Sequence, residues 1–228
     1  MQNGQNYTFK TITLKTAHLS EQYHFYAEQL GFECISKNPE RFEIKCGKSH
    51  LIFEDWNENC NYHFAFNIPE NQVLDSANWI RRYVDIIAFE EKEIVDFPNW
   101  NAHSVYFKDP SGNILEFIAR HNLKNQSKEK FDAQSILEIS EIGIATENIS
   151  KMYSKLKDEL SFNLYWGDME KFAAIGHEKC LFITVPLDRP WFPCDDVLSK
   201  KWPIELEISK GESVKTLRKV NSDYLFFK

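Results

Sequence analysis

No apolar run in the 228 residues approaches the roughly 20 that a membrane-crossing helix needs, which excludes a helical membrane protein and sets aside a membrane partner. Glycine is scarce, 8 residues in all, so a collagen-like or low-complexity chain is out. The five cysteines (Cys34, Cys46, Cys60, Cys180, Cys194) are odd in number, scattered, and never spaced as CxxC. That pattern argues against a disulfide framework or a structural zinc knot. Basic residues are in the minority, 27 against 34 acidic, for a net charge of −7. A nucleic-acid partner held by gross charge is therefore not expected. The opening Met1 to Asn6 lacks the basic-then-apolar order of a secretory signal, so the expectation is a cytoplasmic protein. What the chain does have is core-forming material, 43% hydrophobic and 14% aromatic. The length allows one large domain or two small ones.

The order of that material repeats. An offset of 130 carries Ile12 to Ile142, Leu14 to Ile144, Thr16 to Thr146, Tyr23 to Tyr153, Leu30 to Leu160 and Phe32 to Phe162. Continued without a gap, it carries Phe42 to Phe172, Leu51 to Leu181 and Phe53 to Ile183. A shared offset of this kind points to a duplicated architectural unit. In the first copy Ile12 and Leu14 alternate with Thr11, Thr13 and Lys15, the period of a half-buried strand. Ser20 or His18 then opens a helix through Tyr23, Tyr26, Ala27 and Leu30, with Gly31 just past its end as a stop. Arg41 to Cys46 and Ser49 to Glu54 are further alternating runs, so the unit reads as βαβββ.

A weaker unit follows each copy. Tyr62 to Ile68 is a strand with Phe64, Phe66 and Ile68 on one face, and Val73, Ala77, Ile80 and Tyr83 mark its helix. Two further strands, Ser104 to Phe107 and Ile114 to Ala119, flank the hairpin signal Asp109-Pro110-Ser111-Gly112. An offset of 140 carries Phe64 to Ile204, Phe66 to Leu206 and Ile68 to Ile208, puts Pro203 in the place of His63, and leaves the fourth unit cut short. The polar stretch 122–134 reads as a linker between domains at 7–121 and 135–228.

The segment HSVYFKDPSGNILEFIAR (His103 to Arg120), with the opening TITLKTAHLSEQYHFYAEQLGF, resembles the vicinal oxygen chelate superfamily, which includes glyoxalase I, extradiol dioxygenases, and fosfomycin- and bleomycin-resistance proteins. The resemblance covers nearly the whole chain, and the DPSGN turn followed by Leu-Glu-Phe is its most specific part. It implies an α+β fold of paired βαβββ modules forming cupped mixed sheets with helices outside. Activity is not implied by it, because such a fold hosts many chemistries.

Alternation turns Leu115 and Phe117 toward the helices and so Glu116 toward the cup, and it turns His63 the same way. A converging imidazole and carboxylate suit a divalent Fe, Mn, Ni, Zn or Co. The resemblance carries metal-ligand roles onto His63 and Glu116, the latter also as the catalytic group. Metal-binding relatives place a third ligand on the first strand, where this chain has Thr11, a poor ligand, and glyoxalase-type sites add a carboxylate where Ile52 stands. His50 and His103 are the candidates to swing in. Ser104, Tyr106, His103 and Thr11 are the expected substrate-binding residues. Glu141, Glu205 and Glu207 would face the second domain's cup as a weak cation site, with a scaffold or interface favoured there. Trp166, Trp191-Phe192-Pro193 and Trp202 suit a packing surface or a cover over the first domain's cup.

Two functions follow as expectations. One is a metal-dependent lyase, dioxygenase or transferase acting on a small molecule with vicinal oxygens. The other is a metal-free protein that sequesters a small-molecule ligand, for which an acidic, aromatic chain suits a cationic, aromatic one. The cut-short last unit leaves a sheet edge that can pair with a second copy, so a homodimer is a further expectation.

Overall fold

A computed structural model describes residues 7–221 and 223–227. The first unit is β1 (Thr8–Thr16), α1 (Leu19–Tyr23) running on into a π-helical turn at His24–Gln29, then β2 (Glu33–Asn38), β3 (Arg41–Cys46) and β4 (Ser49–Asp55). The second is β5 (His63–Ile68), α2 (Val73–Ile80), β6 (Ile86–Ile87), β7 (Val95–Phe97), β8 (Ala102–Lys108) and β9 (Ile114–Arg120). The third is β10 (Glu138–Thr146), α3 (Ile149–Leu160), β11 (Leu164–Gly167), β12 (Ala173–His177) and β13 (Cys180–Pro186). The fourth has three strands, β14 (Ile204–Lys210), β15 (Ser213–Val220) and β16 (Asp223–Phe227).

The strands form two mixed sheets. One runs β16-β15-β14-β1-β4-β3-β2, and the other runs β11-β12-β13-β10-β5-β9-β8-β6, with β7 also on β8. Units one and four thus share a sheet, as do units two and three, and each sheet draws strands from both sides of 122–134. That stretch is docked by buried Phe131 and Ala133. Between the sheets and helices lies one continuous apolar core, into which β1 sends Phe9, Ile12 and Leu14, β5 sends Phe64, Phe66 and Ile68, and β9 sends Leu115 and Phe117. Among the described residues no helix is long and apolar enough to cross a membrane.

Register corrects both repeat offsets. The first holds at 130 through the helix, where Gly31 and Ser161 both adopt left-handed backbone (φ 81° and 58°). Beyond it Ile12 pairs with Leu51 but Ile142 pairs with Phe182, so the counterpart of Leu51 is Phe182 rather than Leu181. Phe42 likewise corresponds to Ala173, through their pairings with Phe53 and Thr184. The second offset is 142, not 140. Phe64 lies opposite Ile142 and Leu206 opposite Ile12, so Glu205, not Pro203, stands where His63 stands. A shift of two keeps every side chain on its face, so alternation cannot separate the two registers.

The fourth unit also departs in topology. Where β9 lies parallel to β5, β15 lies antiparallel to β14 as part of a meander with no crossover helix. Thr216 takes the place of Glu116 there, since it pairs with Glu207 as Glu116 pairs with Ala65.

The DPSGN turn ties the units together. The buried Asp109 carboxylate accepts from Gln22 Nε2 (2.8 Å), Tyr26 Oη (2.9 Å) and Asn113 Nδ2 (2.7 Å), and from the backbone N–H of Ser111 and Asn113. Ser111 and Thr16 hydroxyls meet at 2.7 Å. The first helix is thereby fastened to the hairpin that carries Glu116.

Candidate metal centre

Three ionisable side chains of the second sheet converge on the floor of a cavity. His63 from β5, Glu116 from β9 and Glu141 from β10 are all buried, with ligand-competent atoms within 4.8 Å of one another. Ala65 pairs with Glu116 on one side and Glu141 on the other, and its methyl leaves room between the two carboxylates. The set exists because β5 and β10, first strands of different units, lie side by side.

Each group is held in a definite state. His63 Nδ1 lies 3.1 Å from the Ile114 carbonyl oxygen, which can only accept, so Nδ1 carries the proton and Nε2 keeps its lone pair. Nε2 points to Glu116 Oε2, 3.8 Å away. Burial lowers the imidazole pKa from 6.5 to about 4, against a smaller upward pull from the Ile114 bond, so the ring is neutral near pH 7. Burial and then the neighbouring Glu141 push Glu116 up to about 8, opposed by Ser104, Arg120 and Tyr106. Burial also raises Glu141, and the Arg120 guanidinium works against it. Arg120 is wholly buried, bonds Glu141 Oε1 through one terminal nitrogen and Asn67 Oδ1 through Nε (3.1 Å), and lies 5.5 Å from the Trp100 ring centre.

Around this floor lies a cavity of 360 Å³ walled by Phe97, Trp100, Tyr106, Trp166, Phe172, Trp191 and Phe192, with Asp168 and Arg189 also lining it. Its cover is the connection from β13 to β14, closed on itself by the Pro190–Leu198 bridge and the bonds Trp191 N to Val197 O (2.9 Å) and Ser199 N to Arg189 O (2.8 Å). The Trp191 ring lies over His63, centres 5.3 Å apart and planes 34° from parallel. Burial raises the Tyr106 pKa, so its hydroxyl stays protonated, and Ser104 Oγ is buried close to both Tyr106 and Glu116.

His63, Glu116, Ser104 and Tyr106 therefore come together, on the faces that alternation assigns them. Thr11 and His103 do not join them. Thr11 lies in the other sheet and donates to Glu207 (2.9 Å). His103 occupies the opposite face of β8 from Ser104 and Tyr106, with Nδ1 2.8 Å from His121 Nε2 and Nε2 3.7 Å from Asp96. His50 pairs with Glu43 (2.7 Å) in the first sheet. The expectation that Glu141, Glu205 and Glu207 share a cup is corrected as well. Glu141 stands with His63 and Glu116, while Glu205 and Glu207 line the other sheet, paired with Arg218 and Lys10. The residues that sequence reasoning missed as site members are Glu141 and Arg120. A signal for Glu141 was present, since it is the offset-130 counterpart of Thr11.

No family model matches the sequence, and no curated protein does. Solved structures match the fold. A Bacillus subtilis protein of provisional dioxygenase description is 14% identical over 79% of this chain and 64% of its own, with a TM-score of 0.60. Glyoxalase I from Zea mays is 13% identical over 79% of this chain and 66% of its own, with a TM-score of 0.52. The chain thus spans slightly under two thirds of either relative. At these identities the likeness concerns architecture alone. The fold of this chain is that of these two solved structures, the one described as a dioxygenase and glyoxalase I.

Proposed function

We propose that the protein is a divalent-metal-dependent enzyme acting on a small substrate with two adjacent oxygens, the metal being held by His63, Glu116 and Glu141. The observation that carries this reading is the buried convergence of one imidazole lone pair and two carboxylates at the floor of a cavity sized for a small molecule. The donors fit a dication. Glu116 is raised to about 8 largely because a second carboxylate and an apolar surround oppose its charge, a penalty a cation would relieve. The Ile114 carbonyl fixes the His63 tautomer, and Arg120 orients Glu141, as outer-sphere partners of metal ligands do. One imidazole and two carboxylates suit Fe, Mn, Co, Ni or Zn.

A bound divalent ion would supply Lewis acidity toward the substrate's paired oxygens, stabilising an oxyanion or enolate as it develops. The chain's own residues do the rest. Tyr106 Oη stays protonated and donates to a substrate oxygen, and Ser104 Oγ, buried beside Tyr106 and Glu116, is the hydroxyl we assign to a second one. Glu116, at the floor of the cavity beside Tyr106, is the group we assign to proton transfer. Trp191 and Phe192 exclude water from the floor. A cytoplasmic location belongs to the same proposal, supported by five cysteines that form no disulfide.

The test is elemental analysis of protein purified without chelator or affinity metal, beside Glu141→Ala and a His63→Ala/Glu116→Ala double variant. Near-stoichiometric metal in the native protein, lost from both variants, is the expected result. No metal in the native protein, and none taken up from millimolar Mn²⁺, Fe²⁺, Ni²⁺ or Zn²⁺, overturns it. The aromatic wall of the cavity favours a second reading, metal-free capture of a small ligand, and that outcome would move the assignment there.

A further inference from the structure

Arg41, Arg81, Arg120 and Arg218 each lie within 4.0 Å of a carboxylate. Arg189 has no such partner among the described residues, in a chain with a net charge of −7. Arg82 lacks one too, but it is exposed at the surface. Arg189 is half-buried and lines the cavity, its guanidinium 5.4 Å from the Phe172 ring centre. Its backbone is pinned on both sides, N–H to Ser199 Oγ (3.1 Å) and carbonyl to Ser199 N–H (2.8 Å). The charge of Asp168, which lines the same cavity, acts on it, and that carboxylate already accepts the backbone N–H of Glu170 (2.7 Å) and Lys171 (2.6 Å) through Oδ1.

We propose that Arg189 binds an anionic group of the substrate, so the substrate class is a flat, apolar or aromatic molecule that carries a carboxylate besides its paired oxygens. The placement of those oxygens rests on the metal-site reading above; the anion subsite stands on Arg189 itself. A guanidinium near an aromatic ring at the wall of the cavity, with no carboxylate within 4.0 Å among the described residues to occupy its fork, is complementary to a carboxylate of the ligand. The aromatic side chains that line the same cavity accommodate the flat body.

The experiment uses two probe sets, read by tryptophan fluorescence and calorimetry on the full chain. The first, with chelator present, compares 3-phenylpropanoate with 3-phenylpropanol. The carboxylate is expected to bind about ten-fold tighter or more, the scale of one charge-assisted bond. Arg189→Gln should erase that preference and Arg189→Lys retain part of it, which guards against a folding artefact. The second set measures catechol with and without Zn²⁺. Equal or undetectable binding of the first pair at millimolar concentration, or a preference that survives Arg189→Gln, overturns the anion subsite whatever catechol does. Catechol binding that ignores Zn²⁺, beside an Arg189-dependent carboxylate preference, counts against the metal reading and leaves the anion subsite supported.

Discussion

Gly143 is where Trp191 rests on the sheet: a Cβ built at Gly143 would lie 2.5 Å from Trp191 Cη2 and 2.9 Å from Cζ2. Gly143 follows Glu141 by two on β10 and shares its face, so the bare backbone there admits the indole that covers His63. Gly143→Ala should therefore lift Trp191 and loosen the cover. Overpacking of this kind costs about 1–3 kcal/mol. We expect a lowered melting temperature and an altered tryptophan emission, while a variant with unchanged emission would show that the ring does not depend on this glycine.

Arg120 and Glu141 form a wholly buried pair. Removing only the cation, as Arg120→Met, strands a carboxylate in the core and should cost about 3–5 kcal/mol in metal-free protein. Adding Glu141→Met should recover much of that loss. Denaturant unfolding in chelator measures both. With metal present, Arg120→Met should also weaken metal binding by about 10–100-fold, the usual scale for an outer-sphere partner.

The metal-free protein should show opposing pH slopes from two groups. The His63 pKa falls from 6.5 to about 4 on folding, so the unfolded chain binds more protons between those values and stability drops as pH falls through that window. The Glu116 pKa rises from 4.5 to about 8, so the folded chain binds more protons there and stability drops as pH rises toward 8. Glu116→Gln should shrink the second slope, leaving the part that the likewise raised Glu141 and Asp109 carboxyls contribute. Metal affinity should rise with pH to about 8, because the carboxylate must lose its proton to bind. Urea titrations from pH 5 to 9 with the variant alongside resolve the two contributions.

Asp109 gathers Gln22, Tyr26 and Asn113 in a buried network. Asp109→Ala leaves those donors unsatisfied, at about 1–3 kcal/mol for each one that finds no water. The expected result is a large loss of stability; a loss below about 1 kcal/mol would mean the turn is held by its backbone bonds alone.

Much of this was legible before any coordinates. Alternation along Tyr62 to Ile68 and Ile114 to Ala119 assigns His63 and Glu116 to the face that lines the cavity, and the structure has them there. The repeat at 130 announces the βαβββ unit, and Asp109 to Gly112 announces the hairpin. These are local properties, set by side-chain period and turn chemistry within a few residues. What the tertiary structure decided is which units share a sheet and in which register. The pairing of β5 with β10 brings Glu141 to His63, and it depends on packing between strands some 75 residues apart, which no local pattern encodes. The same holds for Thr11, whose position on its own strand resembles that of Glu141 but whose sheet neighbour is β14. Because a strand's faces are unchanged by a slip of two, the choice between Pro203 and Glu205 opposite the first strand also waited for the register.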